Sequence, residues 1–337
     1  MVLSSIIVAQ RGQALGNGLL ASIFAGLVAG CAPSGSGTSS VVEWRIAELE
    51  ALAFVPEGLT RKALTPIDAG ASEDLLVDRF EVTWAMWDRA PGDAASAAVA
   101  PFRPDADAPE ALTSPLEWLE DAPAVGMTLS EARAFAASRS MRIPTFDEWM
   151  YCALGQRGRR APAGSPQRGS ANTSELGVAR ATPVGAFESG RTPDHGIYDL
   201  LGNVWEWIDA PPDPSRGWST IDVETRPEEA VSRAEAWCLG GSFLTPERPI
   251  YTVGRVCLAL EVSAGHRASD LGLRCVTGAE IYLRGLPSEE ALSSDERERI
   301  ARVGQRWGSP AVRLLGRLQR EGVAGAWIEA LLAGASR

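Results

Sequence analysis

The spacing of apolar positions changes several times along this chain, and each change predicts a different kind of element. Leu19 to Gly30, LLASIFAGLVAG, is an unbroken apolar run behind Arg11. It is too short to span a bilayer and matches the core of a signal peptide. Between Ser130 and Tyr151 the period becomes helical: Ala132, Phe135 and Ala136 share one face, and Thr145-Phe146-Asp147-Glu148 reads as an N-cap with acids in its first turn. Gly202-Asn203 predicts a tight turn, after which Val204 to Trp207 alternate as a short strand. Beyond Gly278 the helical period returns. Ser293 to Glu296 caps a helix with Ile300, Val303 and Trp307 inward, Ser309-Pro310 starts another with Val312, Leu315 and Leu318, and Val323 to Leu332 predicts a third. This tail is expected to dock on the rest of the chain rather than leave an apolar face in water.

The apolar run ends at Val28-Ala29-Gly30-Cys31, small residues before a cysteine, which is a bacterial lipobox with Cys31 as the lipidation site. Ser34 to Ser40, SGSGTSS, then reads as a flexible tether. The expected organisation is a signal peptide over 1–30, a tether over 31–48, a main domain over 49–277 and a helical appendage over 278–337. Lipidation would hold the mature chain outside the cytoplasm on a membrane of the cell envelope.

Composition fits one sizeable core with many turns: 45% of the 337 residues are hydrophobic, with 11 tryptophans, 34 glycines and 22 prolines. The formal charge is −11 with no basic stripe, which argues against a nucleic-acid partner. Only His195 and His266 exist, so a three-histidine iron site cannot be built from this chain, and no G-x-S-x-G motif is present.

The densest motif is His195 to Trp207, HGIYDLLGNVWEW. Asp199 and Glu206 flank its turn, and two carboxylates beside turn carbonyls are hard oxygen ligands of the kind Ca2+ prefers. The alternative for both acids is to satisfy backbone donors in a buried turn. Around this block stand LLVDRFEVTWAMW (75–87), PAVGM (123–127), SEARAF (130–135), MRIPTFDEWMY (141–151), PVG (183–185), LGGSF (239–243) and LGLRC (271–275). In this order they resemble the formylglycine-generating enzyme, or sulfatase-modifying factor, family.

The resemblance implies an α+β, C-type-lectin-like domain with short strands and long ordered loops. It implies one structural Ca2+ held by the side chains of Asp199 and Glu206 and the carbonyls of Gly202 and Val204. It also implies where a copper-binding cysteine pair would stand, and there this sequence has Thr245 and Ile250. Neither is a ligand for Cu(I), which needs thiolate or thioether sulfur, so no copper is expected. The extracytoplasmic setting permits disulfides among Cys152, Cys238, Cys257 and Cys275, and relatives favour Cys152 with Cys275, although Cys152 is displaced by one residue. The expected function is a membrane-anchored, non-catalytic binding or scaffold module with a protein partner at the cleft or the C-terminal helices. The competing expectation is an extracytoplasmic oxidoreductase that uses the same cleft with other residues.

Overall fold

The computed structural model describes residues 37–60, 69–89, 120–155, 170–209, 221–224, 236–246, 251–252, 255–288 and 291–337, with backbone alone at 37–40, 221–224, 251–252 and 255–258. Cys31 and Ile250 lie outside the described residues, as does the side chain of Cys257. The helices are α1 (Gly37–Ala51), α2 (Trp84–Asp88), α3 (Leu129–Ser138), α4 (Phe146–Leu154), α5 (Ala279–Arg284), α6 (Ser294–Trp307), α7 (Ser309–Arg320) and α8 (Gly325–Ala335). The strands are β1 (Leu52–Val55), β2 (Gly58–Leu59), β3 (Gly70–Ala71), β4 (Leu75–Asp78), β5 (Trp205–Ile208), β6 (Ile221–Glu224), β7 (Ala236–Leu239), β8 (Tyr251–Thr252), β9 (Arg255–Val262), β10 (Leu271–Gly272) and β11 (Val276–Gly278). This is the expected α+β domain of short strands, followed by three tail helices.

Two sheets carry the core. In the first, β4 is central and pairs antiparallel with β1 and with β11, which joins the start of the domain to its end. The second runs β10-β5-β7-β9-β6, with β8 on β9; β5 pairs antiparallel with β7 and parallel with β10. The strand after the Gly-Asn turn is paired along both edges, and Trp205, Glu206, Trp207 and Ile208 are all buried, so both of its faces are covered. Helices α3 and α4 start at capping boxes, Thr128 with Glu131 and Thr145 with Glu148, in which hydroxyl and carboxylate each accept an otherwise unmet N–H. Thr145 was legible from the sequence; Thr128 was not singled out.

The tail helices follow the predicted periodicity and are docked. Ser293 and Glu296 form the capping box of α6, and Ile300, Val303 and Trp307 are buried. Trp307 donates its indole N–H to the Leu52 carbonyl in β1 and lies 5.8 Å from the Phe54 ring. The surface they dock on includes a feature that departs from expectation. Residues 37–51 form α1, where a tether was expected up to residue 48, and Ile46 and Leu49 are buried in the common core. Arg299 of α6 reaches back to Glu43 and Glu50 of α1. Ser39 and Ser40 are tolerated at the start of this helix because tertiary packing outweighs propensity. Among the described residues no helix is long and apolar enough to cross a membrane.

Within the tail, α6 and α8 approach at glycines. A Cβ on Gly304 would lie 1.9 Å from the Leu331 carbonyl oxygen, and one on Gly334 would lie 1.8 Å from that of Ala301. Neither backbone can yield without separating the helices. Gly304→Ala is expected to destabilise the chain by about 1–3 kcal/mol, the usual cost of overpacking, despite alanine's better helix propensity. A shift of the urea midpoint to lower concentration checks this, and an unchanged or raised midpoint contradicts the close packing.

Candidate functional site

The turn ahead of β5 gathers the buried polar groups of the domain. Gly202 and Asn203 both have positive φ, +76° and +60°, and Asp199 does too at +56°. At Gly202 a side chain is excluded outright, since its Cβ would stand 2.3 Å from the Asn172 carbonyl oxygen. Asn203 uses its amide in both directions. Its Nδ2 donates to Glu81 at 2.6 Å, and its Oδ1 accepts from the Thr182 N–H at 2.9 Å and from Asn172 at 3.0 Å. Glu81 also accepts the Val204 N–H, so the EVT segment at 81–83 clamps the turn from the opposite side of the domain.

Glu206 points inward from β5 and is fully buried. Its carboxylate takes a close pair of contacts from Arg274, whose Nη2 is 2.6 Å from Oε1 and whose Nε is 3.1 Å from each oxygen, and it accepts the Trp149 indole N–H at 2.7 Å. The remaining donors of Arg274 go to the carbonyls of Asp78 and Tyr198. Asp199 accepts the Gly185 N–H at 2.6 Å. Asp199 and Glu206 lie near enough for the charge of Glu206 to act on Asp199, and part of the alternative reading holds: Asp199 does cap a backbone donor.

Charge does not balance in this cluster. Three buried carboxylates, Glu81, Asp199 and Glu206, surround the single guanidinium of Arg274. Burial, reinforced by the charge of Glu206, pushes the Asp199 carboxyl up to about 6 against the attraction of Arg274. Burial, then the charges of Asp199 and Glu206, push Glu81 well above the usual carboxylate range. Among the described residues, no three His, Cys, Asp or Glu side chains converge as metal ligands, so a cation here would depend on backbone carbonyls as well.

Thr245 lies below the cleft loop, buried, with its hydroxyl in use. Its Oγ1 accepts the Ser242 N–H at 3.0 Å and lies 3.3 Å from the Ser242 hydroxyl, which donates to Asp270 at 2.8 Å. Since Ser242 spends its proton on Asp270, the Thr245 hydroxyl is the donor in their mutual contact. Thr245 is thus a structural hub of the loop that follows Gly240-Gly241. Its partner position, Ile250, lies outside the described residues.

The expected Cys152–Cys275 disulfide is not formed; both are buried thiols. Successive residues of an extended segment face opposite ways. Arg274 turns toward Glu206, and its charge reaches Cys152, whereas Cys275 turns toward Asp78 and Arg139. Burial pushes the Cys152 thiol up to about 12 and raises that of Cys275 as well, which leaves both poor nucleophiles.

Glu81, Arg274, Trp149 and Asn203 were each inside a motif legible in the sequence, but the pairing that joins them was not. The one available signal was the arginine in LGLRC, the sole basic residue in an otherwise apolar run. The chain matches the Sulfatase-modifying factor enzyme 1-like domain over residues 50–279, more than half its length, and belongs to that family. Among named relatives, the Inactive C-alpha-formylglycine-generating enzyme 2 of Bos taurus is 30% identical over 169 residues, covering 47% of this chain and 50% of that protein. The Hercynine oxygenase of Mycolicibacterium smegmatis is 34% identical over 142 residues, covering 37% of this chain and 33% of that protein. The Formylglycine-generating enzyme of Mus musculus is 26% identical over 185 residues, covering 50% and 47%. The chain therefore spans a third to a half of the length of these relatives.

Proposed function

We propose that this protein is an extracytoplasmic, lipid-anchored member of its family that has exchanged oxidase chemistry for binding. The observation that carries this reading is the commitment of Thr245. At a position where copper chemistry needs a thiolate, the chain has a hydroxyl already bonded to Ser242, inside a loop fixed by Asp270. A named relative that is itself an inactive form supports the same reading. The competing reading, an oxidoreductase using other residues, draws on the likeness to Hercynine oxygenase, but the two histidines of the chain limit the iron sites it can offer. The decisive assay incubates the full chain with a sulfatase-type cysteine peptide, Cu(I) and oxygen. Unchanged peptide mass is expected, and copper-dependent aldehyde formation would overturn the binding reading.

The anchor is Cys31. If the lipobox is processed, the gap between the acyl group and the start of α1 at Gly37 is a handful of residues, a reach of roughly 20 Å even when fully extended. The domain then sits against the membrane surface rather than on a long leash. Mass spectrometry of the mature protein is expected to find an acylated Cys31 as the first residue; a mature chain that still carries residues 1–30 excludes it.

A structural Ca2+ completes the reading, held by Asp199 and Glu206 with the carbonyls of Gly202 and Val204. What supports it is the excess of buried negative charge around Arg274. The sign of the pH dependence follows. Without a cation, the Asp199 carboxyl has a folded-state value of about 6, above its ordinary 3.8, so the folded chain binds more protons than the unfolded one across that interval. Stability then falls as pH rises from about 4 through about 6 and is regained on acidification. A bound cation removes this penalty at neutral pH by favouring the ionised form. In excess chelator at pH 7.5 the melting temperature is expected to drop by several degrees, with part of the loss recovered at pH 5.5. A melting curve indifferent to chelator at both pH values argues against the site.

A further inference from the structure

Between the family domain and the tail helices lies a cavity of about 180 Å³. Phe54 of β1 and Trp307 at the end of α6 supply aromatic walls, Pro310 closes it from the first turn of α7, and Asp194, His195 and Arg306 bring the polar groups. Arg306 donates through Nη2 to the carbonyls of Glu50 at 2.8 Å and Leu49 at 3.4 Å, and among the described residues no carboxylate pairs with it. Arg79 adds like charge close by and Glu50 opposes it, while the Arg306 side chain itself is exposed to solvent. Helix α7 begins at the same place, with Gly308 at its N-cap and no side chain to cap the first-turn amides, so the positive end of its dipole adds to the field.

His195 is another polar group at the cavity. Its Nε2 is buried without a partner, while the ring is hydrogen-bonded to the Phe54 backbone. A neutral ring that donates its other N–H to the Phe54 carbonyl leaves Nε2 as a lone pair with nothing to accept from. The charged and titratable groups around this ring are Asp194 beside it in the chain, Arg306 from α6 and Tyr151 from α4, whose ring lies 6.2 Å away. At this cavity Asp194 and Glu50 act against Arg306, Arg79 and a helix N-terminus; the Arg306 side chain is open to solvent and bonded to carbonyls but to no carboxylate among the described residues, and His195 Nε2 is buried with no partner.

We propose that this seam binds a small oxyanion, a carboxylate or a phosphate group, which pairs with the Arg306 guanidinium and takes a second hydrogen bond from His195 once Nε2 has acquired a proton from solvent. The aromatic walls would receive the apolar part of a ligand that carries such a group. Because the walls come from β1 on one side and from α6 and α7 on the other, occupancy would also fasten the tail to the domain.

The histidine content makes the test direct, since His195 and His266 are the only two in the chain. The ring resonances of both are followed by NMR across pH in the full-length chain in non-ionic detergent, in chloride buffer and then with millimolar inorganic phosphate or acetate. Expected is a saturable rise of the His195 pKa by about one unit or more with at least one of the two anions, with His266 unmoved. A response to phosphate alone or to acetate alone supports the site and names the group it prefers. Arg306→Gln should abolish the response and Arg306→Lys should weaken it, because lysine keeps the charge but loses the planar fork. A His195 titration identical with and without both anions overturns the proposal in the unmodified chain, without reliance on any variant. A shift that persists in a folded Arg306→Gln protein, or one matched by His266, overturns it as well.

Discussion

The pairing of Arg274 with Glu206 is the constraint on which the rest of the domain depends. The arginine and the glutamate are each almost wholly buried, and the donors of Arg274 reach β5 through Glu206, the end of β4 through the Asp78 carbonyl and the loop before the turn through the Tyr198 carbonyl. Taking both ions out of water is expensive, and their attraction repays the cost only when the remaining donors and acceptors are met. Here they are, with Trp149 from α4 supplying the last donor to Glu206. The pair fixes where α4 and the two sheets meet, and it does so by direction as well as by energy, since a planar guanidinium accepts few geometries.

A second pair repeats the principle one layer away. Arg139 at the end of α3 makes two contacts to Asp78, at 2.8 and 2.9 Å, and Asp78 also accepts the Cys275 N–H. Arg274 and Cys275 are thereby held by opposite sides of the same strand end, one through the Asp78 carbonyl and one through its carboxylate. This explains why the two cysteines expected to bridge are kept apart. A disulfide from Cys275 to Cys152 would require Cys275 to leave the face that Asp78 defines, and the segment would have to rotate Arg274 out of its buried pair.

The sequence made the local elements legible where a single physical cause decides them. Thr145 with Glu148, Ser293 with Glu296, and the Gly202-Asn203 turn are caps and turns whose chemistry is short-range, and all three stand where they were read. It was less informative where long-range packing decides. SGSGTSS reads as a tether, yet residues 37–51 are helical because Ile46 and Leu49 find a core assembled from segments at both ends of the chain. Likewise the alternation of Val204 to Trp207 predicts a strand, but that both of its faces are buried depends on what packs on the sheet from elsewhere in the chain. For the candidate site, Asp199 and Glu206 were legible as carboxylates at a turn. Glu81 and Arg274, distant in sequence, decide which charge is compensated and which is not.

The same contrast bears on how the cleft and the seam divide the work of this protein. On the binding reading, the loop after Gly240-Gly241 is fixed by the hydrogen bonds that join Ser242, Thr245 and Asp270, with the Thr245 hydroxyl committed to that network. The seam differs in its physics. There the groups left over are a solvent-open guanidinium with no carboxylate partner among the described residues and a buried imidazole nitrogen with no donor, and desolvation raises the cost of leaving that nitrogen unmet. Such groups persist where their partner is supplied from outside or where the surrounding packing over-determines them. The packing here comes from two bodies, β1 with its neighbours and the α6–α7 corner, which touch through Trp307 and the ion pairs of α1. A ligand that satisfied both groups would add free energy to a contact the fold has already made, so binding at the seam and stability of the docked tail are the same equilibrium read from two sides.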